Sequence, residues 1–119
     1  MPRFDLLNFD SYLHVGVQFA RGCPFMCEFC DIIVTFGRRP RLKTGEQVTA
    51  ELDNLAANHL PFVFVVDDNF IGNKRQVKQF LAVLGDWLAG RRWPFEFSTE
   101  ASVNLADDDK LLALMQDAG

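Results

Sequence analysis

Val15-Gly16-Val17-Gln18-Phe19-Ala20-Arg21-Gly22-Cys23-Pro24-Phe25-Met26-Cys27-Glu28-Phe29-Cys30 is the stretch around which the rest of the chain is ordered. Its first five residues alternate and are rich in β-formers, which predicts a strand over 15–19. The strand runs directly into Arg21-Gly22-Cys23-Pro24, a loop opened by turn-forming residues. There the cysteines fall at C-x3-C-x2-C, and the chain has no others. Three thiolates in one loop suit a cuboidal iron–sulfur cluster in which three irons take protein sulfur and the fourth stays open. A fully ligated [4Fe–4S] cluster takes four cysteines, and structural zinc takes four protein ligands. The histidines, His14 and His59, stand outside the loop and at no zinc-finger spacing. An open three-cysteine site therefore fits better than a closed zinc knot. The plain alternative is three packed thiols behaving as small hydrophobes, and it makes this spacing in a polar turn an accident.

Downstream, the pattern alternates between helix and strand. Ile32-Ile33-Val34-Thr35-Phe36 suits a short strand, a helical turn or a buried loop equally. Thr44, with Gln47 three residues on, has the form of a capping box. It opens a helix over 46–58 with Val48, Leu52, Leu55 and Ala56 at helical spacing. Phe62-Val63-Phe64-Val65-Val66 is apolar without alternation, as in a parallel strand covered on both faces. It stops at Asp67-Asp68-Asn69. A helix follows over 74–89, with Val77, Phe80, Leu81, Leu84 and Leu88 on one side. A short strand over 95–98 precedes a last helix over 107–116, which has three aspartates near its positive N-terminal end. Phe62, Phe64, Phe80, Phe95 and Phe97 read as core.

Strand, loop and helix thus recur three times, which predicts right-handed βαβ crossovers and a parallel α/β sheet. In such sheets ligands sit beyond the carboxyl ends of the strands. Those ends carry the three cysteines, Asp67-Asp68-Asn69 and Thr99-Glu100, so the chemically interesting residues share one edge.

Composition bounds the rest. The chain has 119 residues, 49% of them hydrophobic, and a formal net charge of −4. That suits one compact domain and argues against a general nucleic-acid binder. No apolar run approaches the roughly 20 residues of a membrane span, and the start lacks the layout of a secretory signal. A cytoplasmic setting is the expectation, and three clustered cysteines agree with it better than with a disulfide scaffold. A three-stranded parallel sheet ending at Ala118-Gly119 would leave open edges and uncovered apolar surface. The expectation is that the natural protein continues past residue 119, or that this portion self-associates as a homo-oligomer.

The C-x3-C-x2-C spacing, with an aromatic just before the last cysteine and a strand just before the loop, resembles the radical S-adenosylmethionine (SAM) superfamily signature. The longer string from Val17 to Ile32 resembles more narrowly the members that usually carry a preceding cobalamin-binding domain, the hopanoid-associated type. Val66-Asp67-Asp68-Asn69-Phe70-Ile71-Gly72 and Ser98-Thr99-Glu100-Ala101-Ser102 are similar to that group as well. The resemblance implies that residues 1–119 are the N-terminal portion of a radical SAM core domain. The fold it implies is three βα units of a partial (β/α)6 TIM-like barrel.

By the same resemblance Cys23, Cys27 and Cys30 hold a [4Fe–4S] cluster whose open iron binds the amino and carboxylate groups of SAM. Reductive cleavage of SAM then releases a 5′-deoxyadenosyl radical. Phe29 would lie near the adenine. Asp67, Asp68 and Asn69 occupy the place where many relatives carry a Gly-Gly-Glu type motif against the SAM amino group, and Glu100 resembles a glutamate that meets the ribose. No catalytic acid, base or nucleophile is assigned. In cobalamin-dependent relatives the reaction is often methylation of an unactivated carbon, with a small-molecule or lipid-like substrate and a reductant of the flavodoxin or ferredoxin kind. Plainer readings stand beside these. Asp67-Asp68-Asn69 could be a turn and helix cap, Glu100 a solvated side chain, and Arg38-Arg39-Pro40-Arg41-Leu42-Lys43 an exposed loop or an anion-holding one. A non-catalytic iron–sulfur or metal-binding module is the alternative function, and an inactive self-associating portion is another.

Overall fold

The computed structural model describes residues 1–58, 62–91 and 95–119. His59, which the sequence pattern puts at a helix end, lies outside them. Strands β1 (Val15–Val17), β4 (Phe62–Val65) and β5 (Glu96–Thr99) form a parallel sheet in the order β1-β4-β5. The register sets Gly16 beside Phe64 and Phe64 beside Ser98. Two shorter strands, β2 (Ala20–Arg21) and β3 (Arg41–Leu42), pair antiparallel and close the cysteine loop at its base. Between them lies α1 (Ile32–Thr35), a single turn, which settles the ambiguous 32–36 segment.

Helix α2 (Gly45–Ala56) begins where its capping box says. Thr44 Oγ1 accepts from the Gln47 amide at 3.2 Å, and the Gln47 side chain accepts from the Thr44 amide at 2.9 Å. Helix α3 (Lys74–Ala89) is capped by Asn73, whose side chain accepts from the Gln76 amide. Helix α4 (Asp109–Asp117) is capped by Asp108, which accepts from Leu111. Lys78 also donates to Asp108 at 2.8 Å, and this bond holds the carboxyl below its ordinary range.

The alternate residues Val15, Val17, Val63 and Val65 face one way and are buried with Val48, Leu52, Leu55, Val77, Phe80, Leu81, Leu84 and Leu111 from the helices. Each fully buried leucine of that set stabilises the fold by about 1.5–3 kcal/mol relative to exposure. Phe19 stacks on Phe80 with ring centroids 4.4 Å apart, which ties the segment after β1 to α3. The opposite face of the sheet is open among the described residues. Gly16, Glu96 and Ser98 are exposed there, Phe64 is half-buried, and Phe62 is 47% exposed. This corrects two expectations. The β4 strand is covered on one face rather than both, and Phe62 is not core, because α2, α3 and α4 all bury their apolar stripes in the single core on the other side. The architecture is α/β with an open three-stranded parallel sheet.

Candidate functional site

The loop from Gly22 to Pro40 leaves the sheet edge through β2 and returns through β3. Its first residue is strained into place. Gly22 has φ +102°, and a Cβ there would stand 2.9 Å from the Gly37 carbonyl oxygen, which only glycine avoids. Cys23 N–H donates to the same Gly37 carbonyl at 3.3 Å, and Cys30 N–H donates to Cys27 O at 3.1 Å. Gly72 lets the segment before α3 approach the loop, since a Cβ would meet Pro24 Cδ at 3.1 Å. Cys23 and Cys30 are half-buried, Cys27 is exposed, and all three are free thiols.

An open cleft of about 420 Å³ lies at this edge of the sheet. Its walls bring together the three cysteines and Phe29 from the loop, Asp68 and Asn69 from the end of β4, and Glu100 from the end of β5. Every site residue singled out in the sequence is therefore on the cleft except Asp67. Among the described residues, no three cysteine, histidine or carboxylate side chains are gathered closely enough to hold a metal ion. The thiols share a cleft without converging on a point.

Asp67 is 3% exposed and turns away from the cleft. Its Oδ1 accepts from the backbone N–H groups of Phe19, at 2.8 Å, and Ala20, at 2.9 Å, while Oδ2 is buried without a partner. Burial pushes its carboxyl up to about 6, against the pull of those two amides, and the neighbouring Asp68 charge adds to the rise. Asp68 Oδ2 accepts from Gly22 N–H at 2.6 Å. Asn69 bridges to the end of β5, donating to Ser102 Oγ at 3.0 Å and accepting from Ser102 N–H at 3.3 Å. Its Nδ2 also lies 4.0 Å from Cys23 Sγ. The trio is thus neither a simple turn nor the cap of α3, a role that Asn73 fills.

Phe29 is 91% exposed at the cleft rim, and Val103 is equally exposed across from it. Ser102, Val103 and Asn104 line the far wall, and the sequence reading passed over them as site residues. Polar residues directly after the third strand were the available signal. The basic segment does not face the cleft. Arg38 donates to the Pro24 carbonyl at 3.3 Å, Arg41 lies in β3, and Lys43 pairs with the buried carboxylate of Glu51 at 2.6 Å.

No family model matches the chain. It is 56% identical over 116 residues to an uncharacterized methyltransferase of Synechocystis sp., covering 97% of this chain and 22% of that protein. It is 39% identical over 119 residues to the hopanoid C-2 methylase of Rhodopseudomonas palustris, covering 99% of this chain and 23% of that protein. An anaerobic magnesium-protoporphyrin IX monomethyl ester cyclase of Rubrivivax gelatinosus is 26% identical over 126 residues, covering 99% of the chain and 22% of that enzyme. The chain thus spans under a quarter of the length of these curated relatives. With its C-x3-C-x2-C loop after the first strand and these relatives along its whole length, the chain belongs to the radical SAM superfamily and matches part of the hopanoid-methylase type.

Proposed function

We propose that residues 1–119 form the N-terminal, cluster-binding portion of a radical SAM core whose parent protein is a methyltransferase, working with cobalamin. The observation that carries this reading is the cleft, which joins three cysteines after β1 to polar groups after β4 and β5. The donor set fits a [4Fe–4S] cluster. Cys23, Cys27 and Cys30 are free thiols on one loop, and three such ligands would leave one iron of a [4Fe–4S] cluster without protein sulfur. When bound, such a cluster supplies the electron that breaks the sulfonium bond of SAM and releases methionine with a 5′-deoxyadenosyl radical.

The residues of the chain supply position. Glu100 offers carboxylate oxygens on the cleft lining, which suits an ammonium or ribose hydroxyls, while Asn69 stands on the same lining with its oxygen turned to Ser102 and its Nδ2 toward Cys23 Sγ. Asp68 borders the same space. Phe29 offers a ring face at the rim for an adenine. Val103 adds an exposed apolar side chain to the same lining. The open sheet face of Gly16, Phe64 and Ser98 suits the interior of a (β/α)6 barrel completed by further strands, because a row with a glycine and a serine flanking one aromatic leaves room for a substrate. The hopanoid methylase among the relatives supports a methyl acceptor that is an unactivated carbon of a lipid-like molecule.

Anaerobic reconstitution with iron and sulfide tests the reading. The expected result is about four irons per chain and, after reduction, an electron paramagnetic resonance signal that changes on adding SAM. A cluster whose spectrum ignores SAM sinks the SAM assignment, and a Cys27→Ala variant with undiminished iron sinks the ligand assignment.

A further inference from the structure

We infer that Asp67 and Asp68 are positioning residues for the cysteine loop, holding the backbone of residues 19–22 so that Cys23 stands at the cleft wall, rather than meeting the charge of a bound ligand. The inference rests on the cluster reading for its consequence but on hydrogen bonds for its geometry. Asp67 Oδ1 takes both the Phe19 and Ala20 amides, and its carboxylate presents no surface to the cleft. Asp68 Oδ2 takes the Gly22 amide at 2.6 Å, one residue before the first cysteine. That amide belongs to a residue at positive φ, a conformation that costs backbone entropy to hold and is fixed here from two sides. Behind it stand the carbonyls of Phe36, Gly37 and Arg39, within 3.3 Å of where a Cβ would be, and in front stands the Asp68 carboxylate. Cys23 is then anchored through its own N–H to Gly37.

Two other roles for the carboxylates fail on geometry. Neither caps α3, since Asn73 does. Neither pairs with a cation, since the cations in ion pairs among the described residues go to Asp5, Asp53, Glu51 and Asp108. Two acidic side chains at the end of a strand have instead spent one oxygen each on amides between 46 and 48 residues away in sequence. This divides the trio after β4. Asp67 and Asp68 set the loop, and Asn69 is left on the cleft wall, tied to Ser102.

Asp68→Ala and Asp68→Asn separate these alternatives, because asparagine keeps an acceptor oxygen and loses the charge. The readouts are hydrogen exchange at the Gly22 amide in the metal-free protein, iron per chain after anaerobic reconstitution, and the SAM-induced change in the resonance spectrum. Asp68→Ala is expected to speed Gly22 exchange about tenfold or more and to lower iron to under half of wild type. Asp68→Asn is expected to restore both. Wild-type protection of Gly22 with full iron in Asp68→Ala overturns the inference. So does an Asp68→Asn protein that takes up full iron but loses the SAM-induced change, since the charge would then act on the ligand. Should Asp68→Ala not fold, Asp68→Asn decides alone on that same comparison. A wild-type protein that takes up no iron counts against the cluster reading, while Gly22 exchange still decides the clamp.

Discussion

Asp67 makes the stability of the metal-free protein depend on pH in a direction opposite to that of an ordinary paired carboxylate. Its carboxyl is raised from 3.8 to about 6, chiefly because burial penalises the charged form. A group whose folded value lies above its unfolded value binds more protons in the folded state, so its contribution is greatest below 3.8 and declines as pH rises to 6. The gap, at 1.36 kcal/mol per pH unit, corresponds to about 3 kcal/mol lost across that window. An Asp67→Asn substitution keeps the oxygen that accepts from Phe19 and Ala20 and removes the titration. Urea unfolding of wild type and Asp67→Asn at closely spaced pH values from 4 to 7 reports the effect, since groups that do not interact with Asp67 cancel in the difference and only Asp68 and Lys43, which do, contribute to it. The wild type is expected to fall relative to the variant by about 2.4 kcal/mol between the two ends, since at pH 4 the unfolded carboxyl is already partly ionised, with no change in the denaturant slope. Parallel curves across that range would falsify the reasoning, because the buried carboxyl would then titrate no differently in the folded and unfolded chains.

Two further substitutions probe the scaffold. Gly22→Ala forces a Cβ to within 2.9 Å of the Gly37 carbonyl at φ +102° and is expected to cost about 1–3 kcal/mol in thermal unfolding. Removal of the Leu55 side chain, which is fully buried between helices and sheet, is expected to cost about 2–5 kcal/mol as Leu55→Ala, read as a lowered melting temperature with an unchanged circular dichroism spectrum.

What could be read from the sequence was local. The Thr44 and Gln47 capping box is written in residues three apart and stands in the structure as expected. The bounds of α3 follow from its apolar spacing. The strands at 15–17, 62–65 and 96–99 fall within a residue or two of their expected positions. The gathering of the three strand ends at one edge followed from topology, and the cleft bears it out. The β2–β3 pair was not legible, because two-residue strands have no period and their partners lie across the cysteine loop. Nor could the pattern show that Asp67 faces inward, since its hydrogen-bond partners are 47 and 48 residues distant. Coverage of β4 failed for another reason. An unbroken apolar run reports that both faces suit burial, not that this stretch of chain supplies both covers.

Under the cluster reading proposed above, the short β2–β3 ladder bears on how iron would enter the protein. Closing a loop of about twenty residues costs about 3 kcal/mol in chain entropy beyond a fixed term, while each backbone hydrogen bond returns a net of about 1 kcal/mol. A ladder of two residue pairs therefore cannot hold residues 22–40 shut unaided. Beyond its ladder the loop is tied down by the two aspartates and, through Phe19 stacked on Phe80, to the core itself. Residues 22–40 place no side chain in the core cluster, so they are the part expected to open first while β1, β4 and β5 stay paired. Iron and sulfide would then enter an already folded protein, with the cysteine loop as the last part to set. Under that reading, cluster insertion would be a final folding step for residues 22–40.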